Sequence, residues 1–134
     1  MALLDDLAAR LTPQSVVTAA EIYRDEMPST PDELVALYES AGPGPEHAMG
    51  SAATRLIERP HVQAQVRALR PDQARLRARN IYNNLDGLGP LKINGVQYHA
   101  IFALQQPFFL DQDESGRYVF AVNFEVSRDP ATSS

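Results

Sequence analysis

The sequence contains no cysteine among its 134 residues, and no apolar run approaches the roughly 18 residues that cross a bilayer. The missing cysteines exclude disulfide bonds, cysteine zinc sites and thiol nucleophiles. Asp5 and Asp6 stand where a secretory signal peptide needs Lys or Arg, so we expect no export by that route. The histidines, His47, His61 and His99, lack the spacing of metal ligands. We therefore expect no metal, no cofactor and no membrane.

Short motifs that carry chemistry are also missing. There is no Gly-x-Ser-x-Gly nucleophile elbow, no glycine-rich phosphate loop and no dinucleotide fingerprint. Asp111-x-Asp113-x-Ser115-Gly116 opens like a calcium loop, but Val122 stands where that loop ends in glutamate. The alternative is a hairpin turn in which acidic residues and glycine supply the bend. The adjacent carboxylates in Asp5–Asp6 and Asp25–Glu26 are typical of solvated surface. The sequence therefore predicts that the protein is not an enzyme.

The charge of the chain is unevenly distributed around a net charge of −5. Residues 55–79 hold seven arginines and two acidic residues, a local charge of +5, whereas the rest holds five basic and fifteen acidic residues, a charge of −10. Such polarity suits head-to-tail contact between copies, or contact with an oppositely charged partner. One alternative is a solvated arginine-rich helix face. Another is a nucleic-acid-binding module that uses residues 55–79, although such modules are usually net basic.

Hydrophobic periodicity predicts two helices. Residues 2–11 carry leucines on one face, and a second helix begins at Pro71 and ends near Asp86, before Gly87. Its apolar stripe consists of Ala74, Ala78, Ile81, Tyr82 and Leu85.

Alternation predicts strands over residues 61–68 and from Tyr118, and a short strand fits residues 21–26. Leu91–Ile93 and the stretch from Val96 form a hairpin around Asn94–Gly95. The structural motif residues are the turn residues and core aromatics Asn94, Gly95, Gly116, Tyr118, Phe120 and Phe124. The predicted fold class is α+β, a mostly antiparallel β-sheet with two helices packed on one face. One domain would cover residues 1–129, with a disordered tail over 130–134.

Two segments are harder to interpret. Residues 41–54 are rich in glycine and proline and predict a long loop or arm that orders on a partner. Thr30-Pro31-Asp32-Glu33 matches a helix capping box, which favours a helix over residues 34–39. The alternative for that segment is a strand buried on both sides.

The C-terminal third resembles a known family. The matching residues are Asn94-Gly95-Val96-x-Tyr98, Ile101-x-Ala103-Leu104-Gln105-x-Pro107-Phe108 and the stretch from Asp113 to Val126. The front half is similar at Leu3–Ala8, Met27-Pro28, Val35–Glu39 and Glu58–Gln63. On these residues the chain resembles the phage minor capsid family, now interpreted as tail terminators of long-tailed bacteriophages.

The resemblance implies a small structural subunit that forms a ring, usually of six copies, at the neck of the virion. The ring caps the tail tube, stops its growth and offers the surface to which the head joins. Implied partners are other copies of the chain, the tail tube protein and a head-completion or connector protein, with passive contact to DNA in the channel. Synthesis would take place in the host cytoplasm. The resemblance also implies a strand at Val35–Glu39, and we adopt the strand. A head-completion ring protein of the neck is the alternative within this class.

A ring needs an interface in which two different patches meet. We expect the arginine-bearing helix face to supply one patch. Phe108 and Phe109 either close the end of the core or contact a partner. The expected interface residues are Arg67, Arg70, Arg75, Arg79, His47, Met49, Phe108 and Phe109.

Overall fold

The computed structural model describes residues 3–4, 6–7, 22–29, 32–40, 46–47, 55–57, 59–93 and 95–129. Leu3, Leu4, Asp6 and Leu7 have helical backbone. The elements with described bounds are β1 (Ile22–Arg24), β2 (Leu34–Ser40), β3 (Glu46–His47), β4 (Arg55–Ile57), β5 (His61–Ala68), the helix Pro71–Leu85, β6 (Leu91–Ile93), β7 (Val96–Ala103), β8 (Phe108–Gln112) and β9 (Tyr118–Arg128). No helix in these ranges is long and apolar enough to span a bilayer.

The main sheet is curled and has seven strands: six follow the order β1-β2-β5-β9-β7-β6, and the seventh, β8, pairs with β9. β9 is the longest strand and pairs with β5 along one side. On its other side it pairs with β8 near its start and with β7 near its end. β9 therefore joins the part of the sheet that contains β5 to the part that contains β7 and β8.

The core lies between the sheet and the helix. Alternate residues of β5 and β9 face the helix and are buried, as the alternation predicts. The helix buries Ala74, Ala78, Ile81 and Leu85 against them, which confirms four of the five residues of the predicted stripe, and the fifth, Tyr82, is half-buried beside them. Leu3, Leu4 and Leu7 belong to the same core.

The predicted fold class is wrong. About half of the described residues are in strands, and Pro71–Leu85 is the one helix whose bounds are described. The sheet is mixed because β1 runs parallel to β2. A tight turn would reverse the direction of the chain, but residues 25–33 separate β1 from β2, which allows the two strands to run parallel.

The ambiguous segment is a strand, β2, so the choice of strand over helix is confirmed. Leu34, Val35, Ala36 and Leu37 are all buried, which explains an apolar run without alternation. The local capping signals do not produce a helix here, because both faces of the segment are covered by other parts of the fold.

The expected arm is partly a second, two-stranded sheet. β3 pairs antiparallel with β4, so Glu46–His47 are not in a loop. The rest of the segment 41–54 and the predicted tail from residue 130 lie outside the described residues. The hairpin at Gly95 and the short strand β1 are confirmed.

Candidate assembly surface

The helix presents two different flanks beside its buried stripe. Arg75, Arg79 and Tyr82 lie on the flank that faces β8, as their spacing along the helix requires. On the other flank, Arg77 Nη2 lies 3.8 Å from the carboxylate of Glu33, at the start of β2. The arginines of the helix therefore do not form one surface.

Both arginines of the first flank lie over aromatic rings. The guanidinium carbon of Arg75 is 5.2 Å from the centre of the Phe120 ring, and that of Arg79 is 5.2 Å from the centre of the Tyr82 ring. Arg79 Nη2 also donates a weak hydrogen bond, 3.4 Å long, to Oε1 of Gln106. These distances are typical of cation–π contacts, which fix the direction of the cations while leaving them exposed.

An exposed aromatic residue adjoins this flank. Phe109 in β8 stands opposite Phe120 in β9, and their ring centres are 5.7 Å apart in an edge-to-face arrangement. The ring of Tyr118 supports Phe109 from 6.5 Å. Even so, Phe109 is 53% exposed and its neighbour Leu110 is 40% exposed. We call Arg75, Arg79, Phe109 and Leu110 the Arg–Phe surface.

The other expected interface residues lie elsewhere. Arg67 is only 3% exposed, and its Nε donates to the backbone oxygen of Asp32. Arg70 precedes the helix and pairs with Asp72. Phe108 is half-buried opposite Ala121, on the other face of the sheet from Phe109. His47 lies in β3, whose side chains are not described, and Met49 is outside the described residues.

The acidic turn between β8 and β9 is structural. The Asp113 carboxylate accepts hydrogen bonds from Nε and the backbone N–H of Arg117 and from the N–H of Ser115. Burial raises the pKa of Asp113, but these hydrogen bonds outweigh it and hold the pKa below its ordinary value. Gly116 has φ = 83°, as the predicted turn requires. Among the described residues no three His, Asp or Glu side chains gather as metal ligands.

The buried Arg117 links this turn to the segment before β2. Its Nη1 donates to the backbone oxygen of Ser29 and, at 3.2 Å, to Oδ1 of Asp32. Burial and the neighbouring Arg117 charge lower the pKa of Arg67. Sequence reasoning missed this cluster because its members are far apart along the chain.

Sequence reasoning also missed a buried polar contact at the other end of the core. Tyr98 donates a 2.5 Å hydrogen bond to Oδ2 of Asp6, and Arg128 Nη1 lies 3.4 Å from the same hydroxyl. Burial and the bond to Asp6 raise the pKa of Tyr98. The interpretation of Asp6 as solvated surface is wrong, since Asp6 has no exposed area.

The opposite edge of the sheet is acidic. Asp25 and Glu26 follow β1, and both are exposed. The N–H of Asp25 donates to the oxygen of Leu37 at 2.8 Å, which fixes this position beside β2. Burial raises the pKa of Tyr38, and the charges of Asp25 and Glu26 raise it further. We call Asp25 and Glu26 the acidic edge.

Comparisons with known proteins agree with this architecture. The sequence model of the family described as bacteriophage tail terminator protein matches residues 10–130. Among solved structures, a chain of the virion of a native gene transfer agent (GTA) particle superposes with a TM-score of 0.67 at 16% identity, with 96% of each chain covered. At that identity the likeness shows a shared fold. No curated protein matches the sequence. Because the family match spans most of its length, the chain belongs to the bacteriophage tail terminator family, a family of structural phage proteins.

Proposed function

We propose that this protein is a tail terminator that forms a ring on the tail tube, stops tube growth and provides the head–tail joining surface. The observation that carries the proposal is the family match over residues 10–130, which includes all nine of the described strands and the helix Pro71–Leu85. The proposal places the protein at the head-proximal end of the tail. Its partners would be other copies of the chain, the tube protein and a head-completion or connector protein.

Tail length in particles assembled without this protein tests the terminator role. A terminator stops polymerisation, so its loss gives overlong or ragged tails, and adding the purified protein to polymerising tube protein shortens the tubes. A head-completion protein behaves differently, because its loss gives normal tails and heads that leak DNA. Normal tail lengths would therefore contradict the proposal.

The ring itself is tested by light scattering of the purified protein over a concentration series, alone and with tube protein. The Arg–Phe surface supplies an exposed patch for the contact between copies. Reversing two of its charges with Arg75→Glu and Arg79→Glu should weaken assembly about tenfold while the monomer stays folded. The matched control compares single variants, because Lys92→Glu changes the net charge as Arg75→Glu does, at an exposed position on β6 outside that patch.

A nucleic-acid-binding role finds less support in the arrangement of the arginines. Arg67 is buried, Arg70 pairs with Asp72, Arg77 pairs with Glu33, and two others lie on aromatic rings. Binding to duplex DNA should therefore weaken steeply between low and physiological salt. Affinity that survives physiological salt would favour a nucleic-acid-binding function. Membership in a structural family likewise argues against an enzyme.

A further inference from the structure

We infer that the Arg–Phe surface of one copy binds the acidic edge of the next copy in the ring. The inference rests on the proposed function, since it needs copies of the chain to assemble. It goes further by assigning both halves of the contact.

The first half has the features of a preformed anchor. Phe109 is held by Phe120 and Tyr118 yet is 53% exposed, and Leu110 extends the apolar area along β8. A rigid, half-exposed aromatic beside arginines is typical of residues that dominate binding energy in interfaces. β8 is also an edge strand, because no strand of the described residues pairs with its outer side. Exposed edge strands are usually covered by another element or another chain.

Charge complementarity selects the occupant. The Arg–Phe surface carries two cations held over aromatic rings, and the acidic edge carries two exposed carboxylates, with the backbone of Asp25 held by the bond between its N–H and Leu37. Opposite potentials across an interface steer association and set its register. A second copy brings such an acidic edge with it, and so meets the requirement without any other partner.

The positions of the two surfaces suit a closed ring. β1 ends the sheet on one side, whereas β8 flanks β9 on the other, so the two surfaces lie at opposite edges of one subunit. A contact between two different patches is heterologous, and repeating it by rotation closes into a ring. Each copy would use its Arg–Phe surface in one contact and its acidic edge in the other.

A charge exchange tests the pairing. One variant carries Arg75→Glu and Arg79→Glu. The other carries Glu26→Lys and Asp25→Asn, because asparagine tolerates the positive φ of 63° at position 25. Each variant alone should need about tenfold more protein to assemble, since like charges then face each other. An equimolar mixture should assemble as the wild type does, because each remaining contact joins opposite charges.

Cross-linking tests the same contact if assembly is weak. The chain has no cysteine, so only the introduced thiols react with the cross-linker. A copy with Leu110→Cys and a copy with Glu26→Cys, treated with a short bismaleimide, should give dimers when mixed and far fewer when separate. In the control, Lys92→Cys replaces Leu110→Cys. Lys92 is an exposed residue of β6, so this variant should give no dimer with Glu26→Cys.

The outcomes separate this inference from the proposed function. If the wild type forms rings, but the exchange variants assemble normally or the mixed thiols give no dimer, the inference is overturned and the terminator role stands. If the Arg75/Arg79 variant fails only in capping tubes and the mixture does not rescue it, the Arg–Phe surface binds the tube instead. Tails of normal length without the protein overturn the proposed function, whatever the cross-links show.

Discussion

Asp6 illustrates what single residues contribute to this fold. Its carboxylate is fully buried, yet it sits within the first residues of the chain and beside a second aspartate. Its partner Tyr98 is 92 positions away, and no local pattern predicts a contact at that separation. The burial of Arg67 is equally hidden in the sequence, because Arg67 falls on the polar side of an alternating strand and is nevertheless buried. Sequence periodicity assigns a face, but it does not say whether another segment covers that face.

Removing the Tyr98 hydroxyl should destabilise the protein. Tyr98→Phe takes a donor from a buried carboxylate, which costs about 1–3 kcal/mol in the free energy of unfolding. Tyr82→Phe is the control, because it keeps the ring beneath Arg79 and should change stability by less than about 0.5 kcal/mol. Urea unfolding of both variants gives the comparison. Equal stability would mean that the Tyr98–Asp6 bond contributes nothing.

Two glycines separate backbone strain from steric clash. Gly89 and Gly95 both have positive φ, but a Cβ at Gly89 would clash with the carbonyl oxygen of His99, whereas one at Gly95 would meet nothing within 4 Å. Gly95→Ala should cost about 1–2 kcal/mol from backbone conformation alone. Gly89→Ala should cost clearly more, because backbone atoms must also move. Thermal melting of the pair measures the difference, and equal losses would contradict the clash.

At the scale of elements, the sequence predicts best where one face is buried and the other is not. β5, β9 and the Pro71–Leu85 helix show clear periods and were predicted correctly. β8 was missed because Phe108, Phe109 and Leu110 are consecutive apolar residues after a proline, which conceals the alternation. The Arg–Phe surface depends on β8. The sequence predicts its arginines and Phe109 as interface residues, but it does not predict that they lie next to each other.

The turn between β8 and β9 should make stability depend on pH. The folded state lowers the pKa of Asp113 below its ordinary 3.8, so the carboxylate stabilises the fold fully above that value and progressively less as pH falls through the lowered pKa. Asp113→Asn should therefore be less stable than the wild type at neutral pH. The two proteins should converge in acid.

The neighbouring Glu114→Gln provides the control for this titration. Glu114 is exposed in the same turn, so its variant should follow the wild-type stability curve. Chemical unfolding at several pH values distinguishes the two cases. A deficit of Asp113→Asn that stays constant into acid would show that geometry, and not the charge of the carboxylate, is what matters.

For the whole molecule, charge separation is the feature that composition alone reveals. The sequence divides into an arginine-rich segment and an acidic remainder, and the structure places Arg75 and Arg79 near β8 and the acidic edge beside β1. Periodicity does not predict the fold class correctly, because it locates strands but does not say whether β1 and β2 run parallel or antiparallel. The strand β2 is predicted from the family resemblance, whereas local capping signals favour a helix there.

Self-assembly should weaken as salt is added. Charges at the rim of an interface are screened over a Debye length of about 10 Å at 0.1 M salt and about 3 Å at 1 M. The mass measured by light scattering should therefore fall with increasing salt at fixed protein concentration. The Arg75→Glu, Arg79→Glu variant should show no such fall. A wild-type mass that rises with salt would indicate a contact held by apolar area alone.

The pairing of β9 with strands that precede it in the sequence has a consequence for synthesis. β5, β7 and β8 all hydrogen-bond to β9, so earlier strands emerge from the ribosome before the strand that joins them exists. Sheets built from such distant pairings fold late and slowly. A chain truncated before residue 118 lacks the joining strand and cannot complete the sheet. Truncated products would thus lack the fold on which the proposed assembly depends.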